Sequence, residues 1–330
     1  EQGATLARMG GLASVLPMTV PAVSVNRQCG SSLTAIQLGY GMIASATMDI
    51  VIACGCELMS KYTLGSDLNG TLFNGLPMGN PFGEFYTSKY GAWNQIVSAQ
   101  EIADQWGITP EECQDFAVSS HNKAQHATAN GFFKNEILPM KGLDKDGNEI
   151  VRDTDETIRP DTSRESLHTL KVLPGTRWIT AGISSTITDG SSAVVLMSEA
   201  RMKELKIEPL ARIAANAVVG SDPHLMLTGP LYATPKVLNK AGLKMEDIDI
   251  FEINEAFAPI PLAWAKDLKA DMSKLNVNGG ALALGHPVGN SGCRLAVTAI
   301  HELRRRGARY ALVSLCTGGG MAPATIFERA

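Results

Sequence analysis

The stretch VNRQCGSSLTAIQLGYGMIASATMDIVIACG, residues 25–55, decides the fold. Residues 22–26 (AVSVN), which run into it, predict a short strand. Residues 31–46 predict a helix, because apolar side chains such as Leu33, Ile36 and Tyr40 recur at helical spacing. Residues 49–53 (DIVIA) form a continuous apolar run, which is typical of a strand buried on both faces. The stretch therefore predicts a strand–helix–strand unit of an α/β protein.

A second stretch late in the chain, SGCRLAVTAIHELRRRGARYALVSLCTGG (residues 291–319), aligns with the first without gaps. Identical residues coincide at a constant offset of 262 positions: Gly30 with Gly292, Leu33 with Leu295, Val51 with Val313, and Cys54 with Cys316. The second helix ends in three arginines and a glycine, which suit the negative end of a helix dipole and a C-cap. Two like units so far apart predict two related α/β halves.

Residues 60–177, between the two units, have a different character. They are richer in turn-forming residues and contain one well-marked helix, which Thr109, Pro110 and Glu112 open with an N-cap, a first-turn proline and a capping-box glutamate. We interpret the region as an insertion that serves as a lid or substrate-binding segment; a plain structural excursion is the alternative. The predicted domains are residues 1–60 (first part of an N-terminal half), 61–177 (inserted loop domain), 178–205 (end of the N-terminal half) and 206–330 (C-terminal half).

Composition excludes several function classes. The chain has 330 residues, 45% of them hydrophobic and 19% charged, as expected for a globular enzyme. Its net charge of -4 offers no basic excess to neutralise nucleic-acid phosphates, and no apolar run reaches the roughly 18 residues of a membrane helix. The six cysteines do not suggest a disulfide framework, and no zinc-type spacing predicts a metal. Cys54, Cys56 and Cys113 are expected to be small buried residues.

Cys29 is the first candidate for chemistry. It stands where a strand gives way to a helix, and the free N–H groups and positive dipole end at that point favour a thiolate. A nucleophilic cysteine needs a base, and the candidate is His286 in the glycine-rich run NVNGGALALGHPVGNSGCR. A buried cysteine and a structural loop histidine are the alternatives, because two residues so far apart in sequence do not by themselves define a pair.

Two further loops also follow predicted strands. CTGGGM begins at Cys316, and its glycines expose backbone N–H groups of the kind that form an oxyanion hole. INEAFA, residues 253–258, ends another strand and opens a helix in which Pro259 and Pro261 predict a late start or a kink. In open α/β sheets, sites gather beyond the carboxyl ends of strands. The convergence of these loops points to acyl transfer through a cysteine.

The motifs VNRQCGSSL, NEAFA, NVNGGALALGHPVGNSG and CTGGGMAPATIFE resemble, in order and over nearly the whole chain, those of the thiolase family of acyl-CoA acyltransferases. The resemblance implies two βαβαβαββ halves that form a layered α/β/α/β/α core, with a loop domain inserted in the first half. It also implies that the family's first strand and helix precede Glu1, so the N-terminal part of the first half is expected to be absent from this sequence.

The resemblance further implies roles for individual residues. Cys29 is the nucleophile that takes the acyl group, His286 is its activating base, and Cys316 is the second acid and base, acting on the α-carbon of acetyl-CoA. One oxyanion hole uses the backbone N–H groups of Cys29 and Gly318. The other uses His286 with a water held by Asn254.

The substrate contacts implied are more variable. Ser185 resembles the serine that contacts the pantetheine arm, and Phe257 resembles part of the acyl-pocket wall. Asn94 and Gln95 stand where short-chain biosynthetic members carry a His-Met pair that contacts CoA and limits acyl length. This departure leaves room for a longer or bulkier acyl group. Together with the opening EQG and the run AVSVNRQCGSS, it favours a degradative 3-ketoacyl-CoA thiolase.

The expected function is thiolytic cleavage of 3-ketoacyl-CoA by CoA. The alternatives are condensation of two acetyl-CoA molecules, a non-catalytic acyl-CoA carrier, and a condensing enzyme of the fatty-acid type, which NEAFA and CTGGG disfavour. Acyl-CoA and CoA are the expected partners, with no cofactor and no metal. The family implies a homodimer or homotetramer, and a location in the bacterial cytoplasm or in a eukaryotic mitochondrion or peroxisome.

Overall fold

The computed structural model describes residues 5–66, 83–144 and 146–330, so the opening residues EQG lie outside it. Its helices are α1 (Leu6–Ala13), α2 (Ser31–Ala44), α3 (Glu84–Tyr90), α4 (Gln95–Gln105), α5 (Pro110–Ala129), α6 (Arg164–His168), α7 (Glu199–Leu205), α8 (Gly229–Ala241), α9 (Pro259–Leu268), α10 (Ala281–Leu284) and α11 (Ser291–Arg306). Its strands are β1 (Ile50–Leu58), β2 (Met140–Leu143), β3 (Glu149–Arg152), β4 (Asp189–Met197), β5 (Ala211–Gly220), β6 (Ile250–Ile253), β7 (Tyr310–Ser314) and β8 (Met321–Arg329).

The C-terminal part of the chain forms a four-stranded sheet of order β5-β8-β7-β6. β7 runs parallel to β6, with Ile250 opposite Ala311, and antiparallel to β8. Every residue of β6 is buried, as expected of a strand covered on both faces. The parallel pair ends at Ile253 and Ser314, so the NEAFA and CTGGGM loops leave the sheet at the same edge.

A second sheet pairs β1 with β4 in antiparallel register, with Ile50 opposite Met197. The prediction that residues 49–53 are buried on both faces was wrong, because burial alternates along β1 and Ile52 is 44% exposed. The prediction of buried cysteines failed at Cys54 and Cys56 for the same reason: they lie on the exposed face of β1. Cys113 is buried as expected.

Helices α2 and α11 lie side by side between the two sheets, and α8 covers the other face of the four-stranded sheet. The α/β layering is confirmed, and so is the pairing of like units, because each central helix is followed by a strand of its own sheet. The two helices approach at Gly292, where a Cβ atom would lie 2.5 Å from the Leu33 backbone nitrogen. Ser32 ties their first turns together by donating to the Asn290 carbonyl and accepting from the Cys293 N–H, both at 2.9 Å.

The strand predicted at residues 22–26 is wrong. These residues belong to no helix or strand, and most of their surface is exposed. In the described part of the chain no neighbouring strand offers them a ladder of hydrogen bonds, and β-propensity alone does not form a strand without such a partner.

The region between β1 and β4 contains the predicted helix as α5, with the complete Thr109–Glu112 capping box. Ser120, on this helix, donates to the buried Glu255 carboxylate at 2.7 Å, so the helix is fastened to the NEAFA loop. The late start of the helix after NEAFA is confirmed, because α9 begins at Pro259. The domain boundaries stay a prediction, and part of the segment 61–177 lies outside the described residues.

Close packing at Gly292 makes a testable prediction about stability. We expect Gly292→Ala to destabilise the protein by about 1–3 kcal/mol, because the new methyl group meets helix backbone that cannot move aside. The matched control is Gly41→Ala in α2, where a Cβ meets nothing within 4 Å and alanine is the better helix former. Urea unfolding curves of both variants check this, and equal stabilities would contradict it.

Candidate active site

Cys29 stands at a sharp turn that leads into α2. Gln28, just before it, has a left-handed backbone (φ 49°), which is unusual for a residue other than glycine. The Asn26 side-chain oxygen accepts from the Gln28 N–H at 3.0 Å, and the Arg27 carbonyl accepts from the Gly30 N–H at 2.9 Å. These hydrogen bonds stabilise the strained turn and fix where the cysteine side chain begins.

Gly30 allows this turn to pack closely against the loop that follows β7. A Cβ atom at Gly30 would lie 2.5 Å from Cγ2 of Thr317 and 3.0 Å from the Pro323 ring. Thr317 follows Cys316 directly. The close approach therefore brings Cys29 and Cys316, the two cysteines with predicted catalytic roles, into one site.

Two backbone N–H groups act on the Cys29 sulfur. Burial of the thiol raises the pKa of Cys29 to about 11, and the N–H groups of Cys29 itself and of Gly318 partly oppose this, while the Glu57 carboxylate adds to it. Cys29 is therefore a thiol at neutral pH. Both N–H groups therefore act on one atom, the Cys29 sulfur, although they come from segments far apart in the chain.

Cys316 is completely buried at the end of β7. Burial raises the pKa of Cys316 well above its ordinary value, and the proximity of Cys29 raises it further. The Cys316 thiol thus keeps its proton at neutral pH.

His286 is buried and held at three points. Its backbone N–H donates to the Thr186 carbonyl at 3.0 Å, its Nε2 lies 3.3 Å from the Asn254 amide nitrogen, and its Nδ1 hydrogen-bonds to the Ser291 hydroxyl. The Ser291 oxygen in turn lies 3.0 Å from the Pro287 carbonyl oxygen.

These contacts are mutually satisfied by one assignment of protons. The Ser291 hydroxyl has a single hydrogen, which the Pro287 carbonyl accepts, so His286 Nδ1 must carry the proton and donate to Ser291. Nε2 then has a free lone pair that accepts from Asn254. Burial, and next the positive charge of Arg294, lowers the pKa of His286 to about 4, so the ring is neutral and Nε2 is a base.

The NEAFA loop and the segment 183–186 lie beside this histidine. The Ser185 N–H donates to the Ala256 carbonyl at 3.0 Å. Ser184 forms an isolated antiparallel β-bridge with Phe257, which is buried. Asn254 is almost completely buried, and its amide oxygen has no hydrogen-bond partner among the described residues. The sequence motifs for Ser185, Asn254 and Phe257 therefore meet in space.

Glu57 lies near Cys29 and near the loop that follows His286, and the described part of the chain shows no direct hydrogen bond between Cys29 and His286. The Glu57 carboxylate accepts from the Gly289 N–H at 2.9 Å, in the loop that follows His286, and its charge acts on the Cys29 thiol. The sequence analysis missed Glu57 and Ser291. Ser291 had a signal, since it lies in the same motif as His286, whereas Glu57 had none.

Asn94 and Gln95 begin α4. The Asn94 side chain is the N-cap of this helix and accepts from the N–H groups of Ile96 and Val97 at 3.0 and 3.3 Å. The residue that touches the Cys316–Gly320 loop is their neighbour Trp93, which the sequence analysis also missed.

Comparison with family models decides the family. The description "Thiolase, N-terminal domain" matches residues 1–200, and "Thiolase, C-terminal domain" matches residues 207–329. The chain belongs to the thiolase family. The resemblance inferred from the motifs is thereby confirmed.

Individual thiolases are similar over almost the whole chain. A 3-ketoacyl-CoA thiolase of Marinomonas sp. is 40% identical, with 100% of this chain and 83% of that protein covered. An acetyl-CoA acetyltransferase of Chromobacterium violaceum is 41% identical, with 99% and 84% covered. A steroid 3-ketoacyl-CoA thiolase of Mycobacterium tuberculosis is 40% identical, with 99% and 80% covered.

The solved structures agree with the sequence relatives. Human mitochondrial 3-ketoacyl-CoA thiolase superposes with a TM-score of 0.88 at 36% identity, over 98% of this chain and 83% of that one. The same human enzyme in complex with CoA gives a TM-score of 0.87 at 36% identity, over 98% and 82%. These matches confirm the thiolase fold.

Nowhere in residues 5–66, 83–144 and 146–330 do three or more His, Cys, Asp or Glu side chains form a group that could hold a metal ion. Nor does any helix in those ranges have the length and apolar character needed to cross a membrane.

The raised pKa of Cys29 predicts slow alkylation at neutral pH. We expect the rate of iodoacetamide labelling at Cys29 to keep rising beyond pH 10, because only the thiolate reacts and the pKa is about 11. Peptide mass mapping after short pulses measures it, with N-acetylcysteine as the reference thiol. A labelling rate at Cys29 that levels off near pH 8 would show that the pKa of this thiol is not raised.

The hydrogen-bond chain at His286 predicts a role for Ser291. We expect Ser291→Ala to lower kcat roughly 5- to 150-fold, because loss of one buried hydrogen bond costs about 1–3 kcal/mol and frees the ring to take the wrong tautomer. The control is Thr298→Val, which removes a buried hydroxyl from the same helix at a site bonded to Glu136. Equal kcat values for the two variants would refute the role.

Proposed function

We propose that the chain cleaves 3-ketoacyl-CoA with CoA to give acetyl-CoA and a shortened acyl-CoA. The Cys29 sulfur attacks the ketone carbon, and the bond between that carbon and the α-carbon breaks. The acyl group stays on the sulfur as a thioester, and the departing acetyl-CoA carbanion takes a proton. The thiol of free CoA then attacks the acyl-enzyme, releases acyl-CoA and restores Cys29.

The convergence of two N–H groups on the Cys29 sulfur, with Cys316 beside it, is the observation that carries this proposal. A thioester bound there has its carbonyl oxygen stabilised as negative charge develops. The buried Cys316 thiol is far more acidic than the α-carbon of a thioester and can therefore protonate the departing carbanion.

His286 acts as the base for Cys29 in this scheme. A neutral imidazole and a thiol of raised pKa do not form an ion pair at rest, so the proton moves as the substrate carbonyl is attacked. His286 and a water held by Asn254 form the second oxyanion hole, for the thioester oxygen of the acetyl-CoA unit. The Asn254 amide oxygen, which has no hydrogen-bond partner among the described residues, lies in this region.

Substrate binding follows the same scheme. CoA is a substrate here; a solved relative is a complex with CoA. Ser185 contacts the pantetheine arm, and Phe257 forms part of the acyl-pocket wall. Asn94 and Gln95 lie where CoA and the acyl chain meet the inserted segment.

Condensation of two acetyl-CoA molecules is the second candidate, because one relative is named acetyl-CoA acetyltransferase and the reaction uses the same residues in reverse. The degradative direction is favoured because several relatives and a solved structure are named 3-ketoacyl-CoA thiolase.

Trapping the acyl-enzyme tests the proposal. After mixing with acetoacetyl-CoA, we expect the intact mass to rise by one acetyl group and peptide mapping to assign it to Cys29. Cys29→Ala should lose this label and at least roughly 1,000-fold of the activity, because the nucleophile is gone. Cys54→Ala, which changes an exposed cysteine, should keep both. A label that survives in Cys29→Ala would reject Cys29 as the nucleophile.

A further inference from the structure

We propose that Trp93 determines acyl specificity, as a rigid wall that limits the bulk of the acyl group carried by Cys29. The inference rests on the proposed function, because it needs an acyl group on that sulfur. Trp93 lies between α3 and α4, immediately before Asn94 and Gln95.

The indole lies directly on the glycines that follow Cys316. A Cβ atom at Gly318 would lie 2.7 Å from Cζ2 of Trp93 and 3.2 Å from Cη2, and a Cβ at Gly319 would lie 3.3 Å from Cη2 and Cζ3. Only residues without side chains allow the ring to approach the backbone this closely.

This position is next to the nucleophile. The Gly318 N–H acts on the Cys29 sulfur, and the Gln28 side chain reaches the same side of Gly318, with Cδ 3.6 Å from the Cβ position. An acyl group that grows from the sulfur on this side meets the indole within a few atoms. The ring therefore occupies space that a branched or cyclic acyl group would need.

Aromatic rings back the indole. The Tyr86 ring centroid lies 6.0 Å from that of Trp93, and the Tyr90 centroid lies 5.3 Å from that of Tyr86, both pairs being tilted. The Tyr86 hydroxyl donates to the Pro223 carbonyl at 3.2 Å, so this aromatic row is fixed to the loop that follows β5.

His224 fastens the same loop to both flanking helices. Its Nδ1 lies 3.0 Å from the Tyr90 carbonyl oxygen, and its Nε2 lies 2.8 Å from a Glu101 carboxylate oxygen. The Ser98 hydroxyl also donates to the His224 carbonyl, at 2.8 Å.

The loop that follows β5 is in turn fixed to the CTGGGM loop, because the Ser221 N–H donates to the Gly320 carbonyl at 2.7 Å. Trp93 and the Gly318–Gly320 backbone are thus held in one unit by contacts on both sides. A wall held in this way does not swing aside for a larger acyl group, which makes its removal a test of specificity.

The experiment compares kcat/KM for acetoacetyl-CoA, which transfers a small acyl group, with kcat/KM for benzoylacetyl-CoA, which transfers a planar ring. We expect Trp93→Ala to raise the ratio of benzoylacetyl-CoA to acetoacetyl-CoA at least about 10-fold, and Trp93→Phe to give an intermediate value. The matched control is Trp106→Ala at the far end of α4, whose indole donates to Asp267 and which should leave the ratio unchanged.

An unchanged ratio in folded Trp93→Ala, or an equal loss for both substrates, would overturn the inference. If Trp93→Ala does not fold, Trp93→Leu keeps an apolar side chain of smaller size, and the same ratio decides. The wild-type protein is first tested for an acyl label on Cys29 with both substrates. Absence of any label overturns the proposed function, and the specificity role with it, whereas a labelled wild type with an unchanged ratio overturns only the role of Trp93.

Discussion

The close contact between the first turns of α2 and α11 is the constraint on which the site depends. Gly292 allows the helices to meet backbone to backbone, and Ser32 bonds to the other helix on both sides of its N-terminus. Because Cys29 and His286 shortly precede α2 and α11, packing these two helix starts together also brings together the residues proposed as nucleophile and base. The arrangement of the candidate site is therefore a consequence of how the two helices pack.

Buried polar groups then fix the loops around this contact. The Glu255 carboxylate accepts from Ser120, Asn276 and the Leu282 backbone, which ties α5, the NEAFA loop and the glycine-rich loop to one point. Such a buried carboxylate is stable only when its oxygens are hydrogen-bonded, so its partners have little freedom. The loops that carry Asn254 and His286 are held by a network of this kind rather than by apolar packing alone.

Burial also sets the protonation states. It raises the pKa of Cys29 and of Cys316 and lowers the pKa of His286, so all three are neutral at rest. Under the proposed function, both thiols keep their protons until Cys29 attacks a substrate carbonyl. In that scheme, stabilisation of the oxyanion that forms on the attacked ketone favours proton transfer from Cys29 to His286.

Local sequence determined the elements whose signals are contained within a few residues. The helical spacing after Cys29, the Thr109 capping box and the late start after Pro259 each depend on contacts within one or two turns, and each was predictable. The motifs also identified Cys29, His286 and Cys316 as candidates.

Tertiary structure decided whatever depends on a distant partner. Residues 22–26 form no strand because a strand needs a neighbouring strand to bond with. Cys54 is exposed because the burial of a strand residue depends on which elements pack against that face of its sheet. The proton positions on His286, the place of Glu57 and the contact of Trp93 with Gly318 depend on residues far apart in the chain, and periodicity carries no information about which distant groups will meet.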